Sequence, residues 1–437
     1  MTAAVVHPSS TPSSASGPLS MRLLRMMDGR TTLIVAGLGV LIVSLARVIS
    51  GDNDLTSSGT FGVALRTAMP IAMAGLAGLY AERSGTVNIG LEGMMIMGTI
   101  FAGWWGWYFN PWMALLGGLV GGMLGGLLHA LATVTFGVNH IVSGFAINIL
   151  APGIARFMGN ELFSQEEGGS ITNSPGNKGD IGRFTMPFTS GGDLFGWKTP
   201  DPLGWIEKKQ WFVLSDISGL LRGLTAALTL DIIIAVGLVI LSWYVLWRTP
   251  FGLRLRSAGE KPSATDSLGV SVARIRYEAM ALSGAMAGFG GAIMVLFSNR
   301  YQEGQTGGRG FLGLATLILG NWRPGGMLGG AGLFGYASGI TLRTTPENLV
   351  RGLILAAAMA LVVSAFWALL NKKYVVASIV LAIGLVGIYS YAVFEKPNNQ
   401  FVYIFPYIVV LVVVSARNQS LRPPAAEGIP YFKGQQG

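Results

Sequence analysis

The chain has 437 residues, of which 12% are charged and 51% are hydrophobic, and its mean hydropathy is +0.54. Because about a quarter of the residues of a soluble globular protein are charged, this composition excludes a soluble globule. The net charge of +9 is spread over short hydrophilic segments between apolar blocks, as in membrane proteins, so no nucleic acid partner is expected. With no cysteine, disulfides and thiolate metal sites are excluded.

Residues 1–30 are rich in Ser, Pro and Thr and then basic, which predicts a disordered cytoplasmic tail. A cleaved signal peptide is the alternative, but the apolar block 32–49 is long enough to span a membrane and no clear small-residue cleavage site follows it. We expect this segment to be retained. A transmembrane permease domain is predicted over 31–416, and a cytoplasmic tail over 417–437.

The apolar blocks have the length of about 20 residues that a helix needs to cross a bilayer. The predicted fold is all-α, a polytopic helical bundle of about 10 to 12 membrane segments, some of them broken or re-entrant. The predicted spans are 32–49, 61–80, 91–109, 113–136, 141–158, 226–247, 276–298, 350–370, 374–394 and 401–416, with shorter apolar pieces at 311–320 and 326–342. Glycines at every fourth position within 115–130 predict close helix packing.

Basic residues place the loop 248–276 and both termini in the cytoplasm. Counting crossings from an inside N-terminus makes 159–225 extracytoplasmic. The two shorter pieces must then contribute an even number of crossings, either as two spans or as one re-entrant hairpin around 321–326. The polar and aromatic stretch 160–225 is either a loop anchored on the membrane surface or a cap that meets a substrate-delivery protein.

The loop 252–292 contains the strongest motif. Pro262 can begin a helix and Gly269 can end one, which predicts a short amphipathic helix over 263–268. An ordinary basic loop between spans is one interpretation, and a docking helix for a cytoplasmic partner is the other.

This loop resembles the coupling-helix loop of permease subunits in ATP-binding-cassette importers of the nucleoside and simple-sugar type, within the branched-chain amino acid/ribose permease superfamily. Three further stretches agree, at 81–98, 138–153 and 308–335, and 422–434 is similar to the end of the second permease of nucleoside systems. The tail 1–30 and the stretch 160–225 lie outside the resemblance. The residues that it implies for coupling to the ATPase are Gly259, Glu260, Pro262, Ala264, Thr265, Leu268 and Gly269.

The resemblance implies a permease that moves nucleosides or related simple sugars into the cytoplasm, with branched-chain amino acids as the third substrate class. ATP would be bound by a separate cytoplasmic ATPase. The chain itself is therefore not expected to be an enzyme or to hold a cofactor or metal. The other implied partners are a second homologous permease forming a heterodimer, an extracytoplasmic substrate-binding lipoprotein and membrane lipid. The implied location is a bacterial cytoplasmic membrane, crossed many times, with both termini in the cytoplasm.

Polar and aromatic residues at the predicted spans are candidates for the substrate pathway. A carboxylate at a helix centre costs about 2.5 to 3.5 kcal/mol on insertion scales, so Glu92 needs a partner, for which Arg83 or Arg66 could serve. It would be a structural clamp or a substrate contact. The Asn and Ser side chains could hydrogen-bond neighbouring helices or a solute, and the Phe rings could stack on one. The candidates are Asn88, Glu92, Asn139, Ser143, Phe145, Asn148 and Phe311.

Two alternative functions would make different demands on the sequence. An ion-coupled secondary transporter of small polar solutes would place acidic residues at mid-membrane. Only Glu92 and Asp231 lie near the predicted spans, and both are peripheral. A membrane scaffold or enzyme would need catalytic motifs, but the chain has no phosphate-binding loop, HExxH or GxSxG. The three histidines are scattered, which argues against a metal site.

Overall fold

A computed structural model describes residues 37–343, 346–370, 372–393 and 421–432. The predicted tail 1–30, the predicted span 401–416 and the end of the C-terminal tail lie outside the described residues. The helices are α1 Gly37–Ser50, α2 Ser58–Arg83, α3 Leu91–Tyr108, α4 Pro111–Ala130, α5 His140–Phe163, α6 Pro202–Lys208, α7 Leu214–Gly223, α8 Leu230–Arg248, α9 Pro250–Glu260, α10 Pro262–Ser267, α11 Val272–Ser298, α12 Arg309–Leu319, α13 Pro324–Thr341, α14 Pro346–Leu370 and α15 Tyr374–Val393.

Short irregular elements complete the fold. A 3-10 turn Asn53–Thr56 precedes α2, and a π-helical turn Leu131–Thr135 extends α4. The strands β1 Arg183–Phe184 and β4 Leu228–Thr229 pair antiparallel, as do β2 Asp193–Leu194 and β3 Trp197–Lys198.

Among the described residues, six helices are long and apolar enough to cross a membrane: α2, α4 with its π turn, α5, α8, α11 and α15. Shorter apolar helices are α1, α12 and the Ile354–Leu370 part of α14. This architecture confirms the predicted all-α, polytopic membrane protein.

The centre of the bundle is built from α2, α3, α4 and α11, and glycines set the distances between these helices. One glycine stripe of α4 packs on α11, and the other packs on α3, as the spacing predicted. A Cβ atom at Gly122 would lie 2.2 Å from the carbonyl oxygen of Gly284, and one at Gly288 would lie 2.0 Å from that of Gly118. The two backbones therefore touch, which no larger residue would allow.

The bundle has two polar ends, named here after the helices that lie there. The α7 side holds the four strands, α6, α7 and the beginnings of α2 and α8. The α10 side holds the end of α2, α9, α10 and the tail segment, defined as 421–432.

The chain crosses between the two sides twice between α11 and α14. The non-helical segment 299–308 enters from the α7 side, and α12 begins beside the middle of α2, where a Cβ on Gly313 would meet Ala74. After α12, Trp322 reaches Glu82 at the α10 side. The full-length α13 then returns along α2. The two short apolar pieces are thus two crossings, the first of them broken, and not one re-entrant hairpin.

The glycine contact between α4 and α11 gives the first prediction. We expect Gly122→Ala to lower the melting temperature of the detergent-solubilised protein, because forcing a methyl group into a filled contact costs about 1 to 3 kcal/mol. Gly237→Ala in α8 is the matched control, since no atom lies within 4 Å of its added Cβ. Size-exclusion chromatography after heating measures both, and equal melting temperatures would contradict the packing described.

Candidate functional site

The connection between α2 and α3 is a buried, non-helical stretch, here called the re-entrant segment and defined as 84–90. It leaves the α10 side and reaches the middle of the bundle, where Asn88 Nδ2 donates to Ser283 Oγ at 2.9 Å, near the midpoint of α11. The N–H groups at its start still donate to carbonyl oxygens in the last turn of α2. The N–H and C=O of Val87 and the C=O of Ile89 have side chains of other helices as their partners instead. Such backbone is tolerated at membrane depth only where protein groups bind it.

Two histidines hold one residue of the re-entrant segment. The backbone N–H of Val87 donates to Nδ1 of His140 at 3.2 Å. Nε2 of His129 lies 3.0 Å from the carbonyl oxygen of Val87, and because a carbonyl only accepts, His129 carries a proton on Nε2. Its Nδ1 lies 2.9 Å from the hydroxyl of Ser143.

Two asparagines hold the remainder of the segment. The side-chain oxygen of Asn148 accepts from the backbone N–H of Gly93 at 2.8 Å, and its amide donates to the carbonyl oxygen of Ile89 at 2.9 Å. Asn88 Oδ1 accepts from the backbone N–H of Gly90 at 3.0 Å. Polar side chains of α4 and α5 therefore bond the backbone of the segment, and Ser283 of α11 holds the side chain of Asn88.

Glu92, in the first turn of α3, joins this segment to α12. Its Oε1 accepts from the N–H of Gly308 at 2.9 Å and its Oε2 from the N–H of Gly310 at 2.7 Å. The first N–H groups of a helix are unpaired and carry partial positive charge, so a carboxylate there is stabilised without a basic side chain. Two broken helices, α3 and α12, thus begin beside each other at mid-bundle and run to opposite sides.

The expectation of an arginine partner for Glu92 was wrong. Arg83 lies at the end of α2 and donates to the carbonyl oxygen of Trp322 at 2.8 Å, while Arg66 donates to that of Ala227 at 3.1 Å. Both arginines donate to backbone carbonyl oxygens elsewhere, and backbone N–H groups at the start of α12 are the partners of the Glu92 carboxylate instead. Of the two roles weighed for Glu92, this geometry favours the structural clamp.

The predicted amphipathic helix is α10, which begins at Pro262 and is closed by Gly269 with a left-handed φ of 80°. Leu268 is 84% exposed, and Ala264 and Gly269 are exposed beside it, whereas Thr265 is buried. The coupling role of these residues stays a prediction.

Two other coupling candidates, Gly259 and Glu260, contact the end of α2. Gly259 is buried against α2, where a Cβ would lie 2.3 Å from the carbonyl oxygen of Arg83. One oxygen of Glu260 lies 4.0 Å from a guanidinium nitrogen of Arg83, and the other accepts from the N–H of Ala425 at 3.2 Å. Glu260 therefore ties α9 to α2 and to the tail segment.

The tail segment fastens the α10 side together through backbone hydrogen bonds. The N–H of Ala426 donates to the carbonyl oxygen of Gly259 at 2.9 Å, and that of Gly428 donates to the carbonyl oxygen of Gly85 at 3.0 Å. Arg276 of α11 donates to the carbonyl oxygen of Ile429 at 3.1 Å. The tail segment therefore joins the loop that carries α10 to the start of the re-entrant segment.

The turn between α12 and α13 is also fixed at this side. Asn321 and Trp322 both have left-handed φ angles, 51° and 54°, which cost energy for non-glycine residues. The indole N–H of Trp322 donates to Glu82 at 2.5 Å, and Asn321 accepts from the N–H of Arg422 at 2.9 Å. Burial raises the pKa of Glu427 in the tail segment.

Residues 61–350 match the family described as the permease component of branched-chain amino acid transport systems. The chain belongs to this family. It is 34% identical over 255 residues to the nucleoside ABC transporter permease protein NupC of Lactococcus lactis subsp. cremoris, covering 56% of this chain and 70% of the relative. It is 31% identical over 256 residues to the guanosine ABC transporter permease protein NupQ of Bacillus subtilis, covering 57% and 70%.

A third relative is the putative glucose ABC transporter permease protein TsgC13 of Haloferax volcanii, 28% identical over 268 residues, covering 59% of this chain and 69% of the relative. No solved structure is significantly similar to the chain. The chain is a multi-pass permease component and not an enzyme, as the sequence predicted. These relatives favour an ABC permease over an ion-coupled transporter.

The place where the re-entrant segment meets α5 and the starts of α3 and α12 is here called the junction. Four of the predicted pathway residues of this permease lie there: Asn88, Glu92, Ser143 and Asn148. Asn139 instead caps the N-terminus of α5 by accepting from the N–H of Ile141 at 2.9 Å. Phe145 and Phe311 are 58% and 46% exposed, so neither ring faces the interior of this chain. Their contact with substrate stays a prediction.

Sequence reasoning missed His129 and Ser283 as members of the junction. His129 ends the apolar run 115–130, and a buried polar residue in a membrane helix needs a partner. That signal could have pointed to a structural role, whereas the identity of the partner could not be read from the sequence.

The junction predicts that Asn148 stabilises the permease. Asn148→Ala should lower the melting temperature, because each buried backbone group left unpaired costs about 1 to 3 kcal/mol. Asn160→Ala, at an exposed position of the same helix, is the matched control. If Asn148→Ala kept the wild-type melting temperature but raised the KM of transport, Asn148 would be a substrate contact instead.

Proposed function

We propose that this permease imports nucleosides into the cytoplasm, driven by ATP hydrolysis on a separate cytoplasmic ATPase. The observation that carries the proposal is the similarity to NupC and NupQ, whose names state a nucleoside and guanosine. Simple sugars are the second substrate class, supported by the similarity to a putative glucose permease. The chain itself would need no cofactor, since ATP is bound by the partner.

The α10 side is proposed to face the cytoplasm of a bacterial cell and the α7 side to face outward, with both termini inside. The positive charge of the α10 side supports this orientation, because basic residues concentrate on cytoplasmic loops. The basic residues in or beside the loop that carries α10 are Arg248, Arg254, Arg256, Lys261, Arg274 and Arg276. A substrate-binding lipoprotein would then deliver solute to the α7 side.

The ATPase is proposed to dock on the exposed face of α10, around Leu268. Movement of α10 would reach the bundle through Glu260 and Gly259, which contact the end of α2 and the tail segment. Because the tail segment is bonded to Gly85, the same movement would pull on the re-entrant segment and on the junction. This chain of contacts supplies a physical route from ATP hydrolysis to the middle of the membrane.

A second, homologous permease is proposed to cover the exposed face of α5 and form a heterodimer. This face holds an open groove of about 630 Å³ lined by apolar side chains, among them Ile149, Leu150 and Phe157. Relatives occur as two different permeases in one organism: NupQ with NupP in Bacillus subtilis, and NupC with NupB in Lactococcus lactis. Phe145 and Phe311 could stack on a nucleoside only where such a partner encloses them.

Uptake of radiolabelled nucleosides tests the proposal. A strain lacking the permease should lose uptake of at least one nucleoside, and the wild-type gene should restore it. Leu268→Arg should insert normally and lower uptake at least about tenfold, because a charge at the centre of an interface costs about 2 kcal/mol or more.

Tyr374→Arg, at the exposed first residue of α15, is the matched control and should transport normally. Persistence of all nucleoside uptake in the deletion strain would refute the substrate. Full uptake by Leu268→Arg would refute the docking site, whatever the substrate is.

A further inference from the structure

Helix α7 is oriented with its polar face inward. Its small and polar residues Ser215, Asp216, Ser218, Gly219 and Gly223 are buried against the protein. Its apolar residues form an exposed stripe along the opposite face, at positions that follow the helical period. The stripe consists of Leu214, Ile217, Leu221 and, one residue past the helix, Leu224.

The buried polar residues of α7 are fully engaged. Asp216 forms an ion pair with Arg47 of α1 at 2.8 Å and accepts from the hydroxyl of Thr56 at 2.5 Å. The hydroxyl of Ser218 donates to the carbonyl oxygen of Leu203 at 2.6 Å. These bonds hold the helix in one orientation, so the apolar stripe cannot turn away from its surroundings.

The position of α7 places the stripe beside the ends of two membrane spans. A Cβ on Gly219 would lie 2.2 Å from the carbonyl oxygen of Thr56, and one on Gly223 would lie 2.5 Å from Cβ of Phe61. The helix is therefore level with the first turn of the span α2. The short strand β4 then leads directly into the span α8, whose apolar Ile240 is 62% exposed.

The residues before α7 have the composition of a membrane interface. Trp205 and Trp211 are exposed and contact each other edge to face, with ring centroids 5.9 Å apart. Lys208 and Lys209 are exposed beside them, and the ammonium of Lys209 lies 5.3 Å from the ring centroid of Trp205. Tryptophan and lysine are the side chains that occupy the headgroup level of a bilayer.

We propose that α7 is an interfacial helix that binds lipid. Its stripe 214–224 lies among the acyl chains of the leaflet on the α7 side, and the ammonium groups of Lys208 and Lys209 lie at the lipid phosphates. Three observations support lipid as the partner: α7 exposes its apolar face, it contacts the first turn of α2, and exposed aromatic residues precede it. A face that meets water would instead carry the polar residues that α7 buries.

Single cysteines can test this surface directly, because the chain has no cysteine of its own. Ile217→Cys and Leu221→Cys are labelled with an environment-sensitive fluorophore in the assembled transporter, reconstituted in phospholipid nanodiscs. Spin-labelled phospholipid is the quencher from the lipid phase, and iodide is the quencher from water. Ile240→Cys is the lipid-facing reference, and Glu166→Cys, at an exposed residue of the same polar stretch, is the aqueous reference.

We expect spin-labelled lipid to lower fluorescence at 217 and 221 at least about twofold, as at Ile240, and iodide to quench only the label at 166. Iodide quenching at 217 and 221 equal to that at 166 would overturn the proposal, since the face would then meet water. Protection from both quenchers would also overturn it, since a protein partner would then cover α7. Leu214→Cys replaces either variant that fails to assemble.

Discussion

The backbone of the re-entrant segment must find its hydrogen-bond partners within the protein, because hydrocarbon offers none. This requirement explains why His129 of α4 and Asn148 of α5 bond carbonyl oxygens of the segment, while Ser283 of α11 holds the side chain of Asn88. It also explains the close glycine packing of α4 on α11, which brings these partners within reach. Glu92 then links the segment to the first turn of α12.

This arrangement limits how the permease can bind its solute. The amide groups of Asn88 and Asn148 are already bonded to backbone and to Ser283, so they are not free to hold a substrate tightly. A permease that receives solute from a delivery protein needs only weak contacts along its pathway. The network instead gives the junction a defined geometry, and the tail segment connects that geometry to the α10 side through Gly85.

Several features were predictable from local sequence: the two glycine stripes of α4, the helix begun by Pro262 and the overall helical membrane fold. The partner of Glu92 could not be predicted, because Gly308 and Gly310 are more than 200 residues away and donate through their backbone N–H groups. The depth of the re-entrant segment was also hidden, since a polar, non-helical stretch lacks the apolar pattern that marks membrane residues. The orientation of α7 depends on its ion pair with Arg47, a tertiary contact.

Hydrogen exchange of the transporter in nanodiscs measures how firmly the protein holds the backbone of the re-entrant segment. The amides of Val87, Gly90 and Gly93 are expected to exchange as slowly as those in the middle of α2. Asn148→Ala is expected to abolish protection at Gly93 while leaving α2 unchanged. If these amides exchanged as fast as those of the exposed stretch 165–168, or if Asn148→Ala left Gly93 protected, side chains of α4 and α5 would not hold the segment.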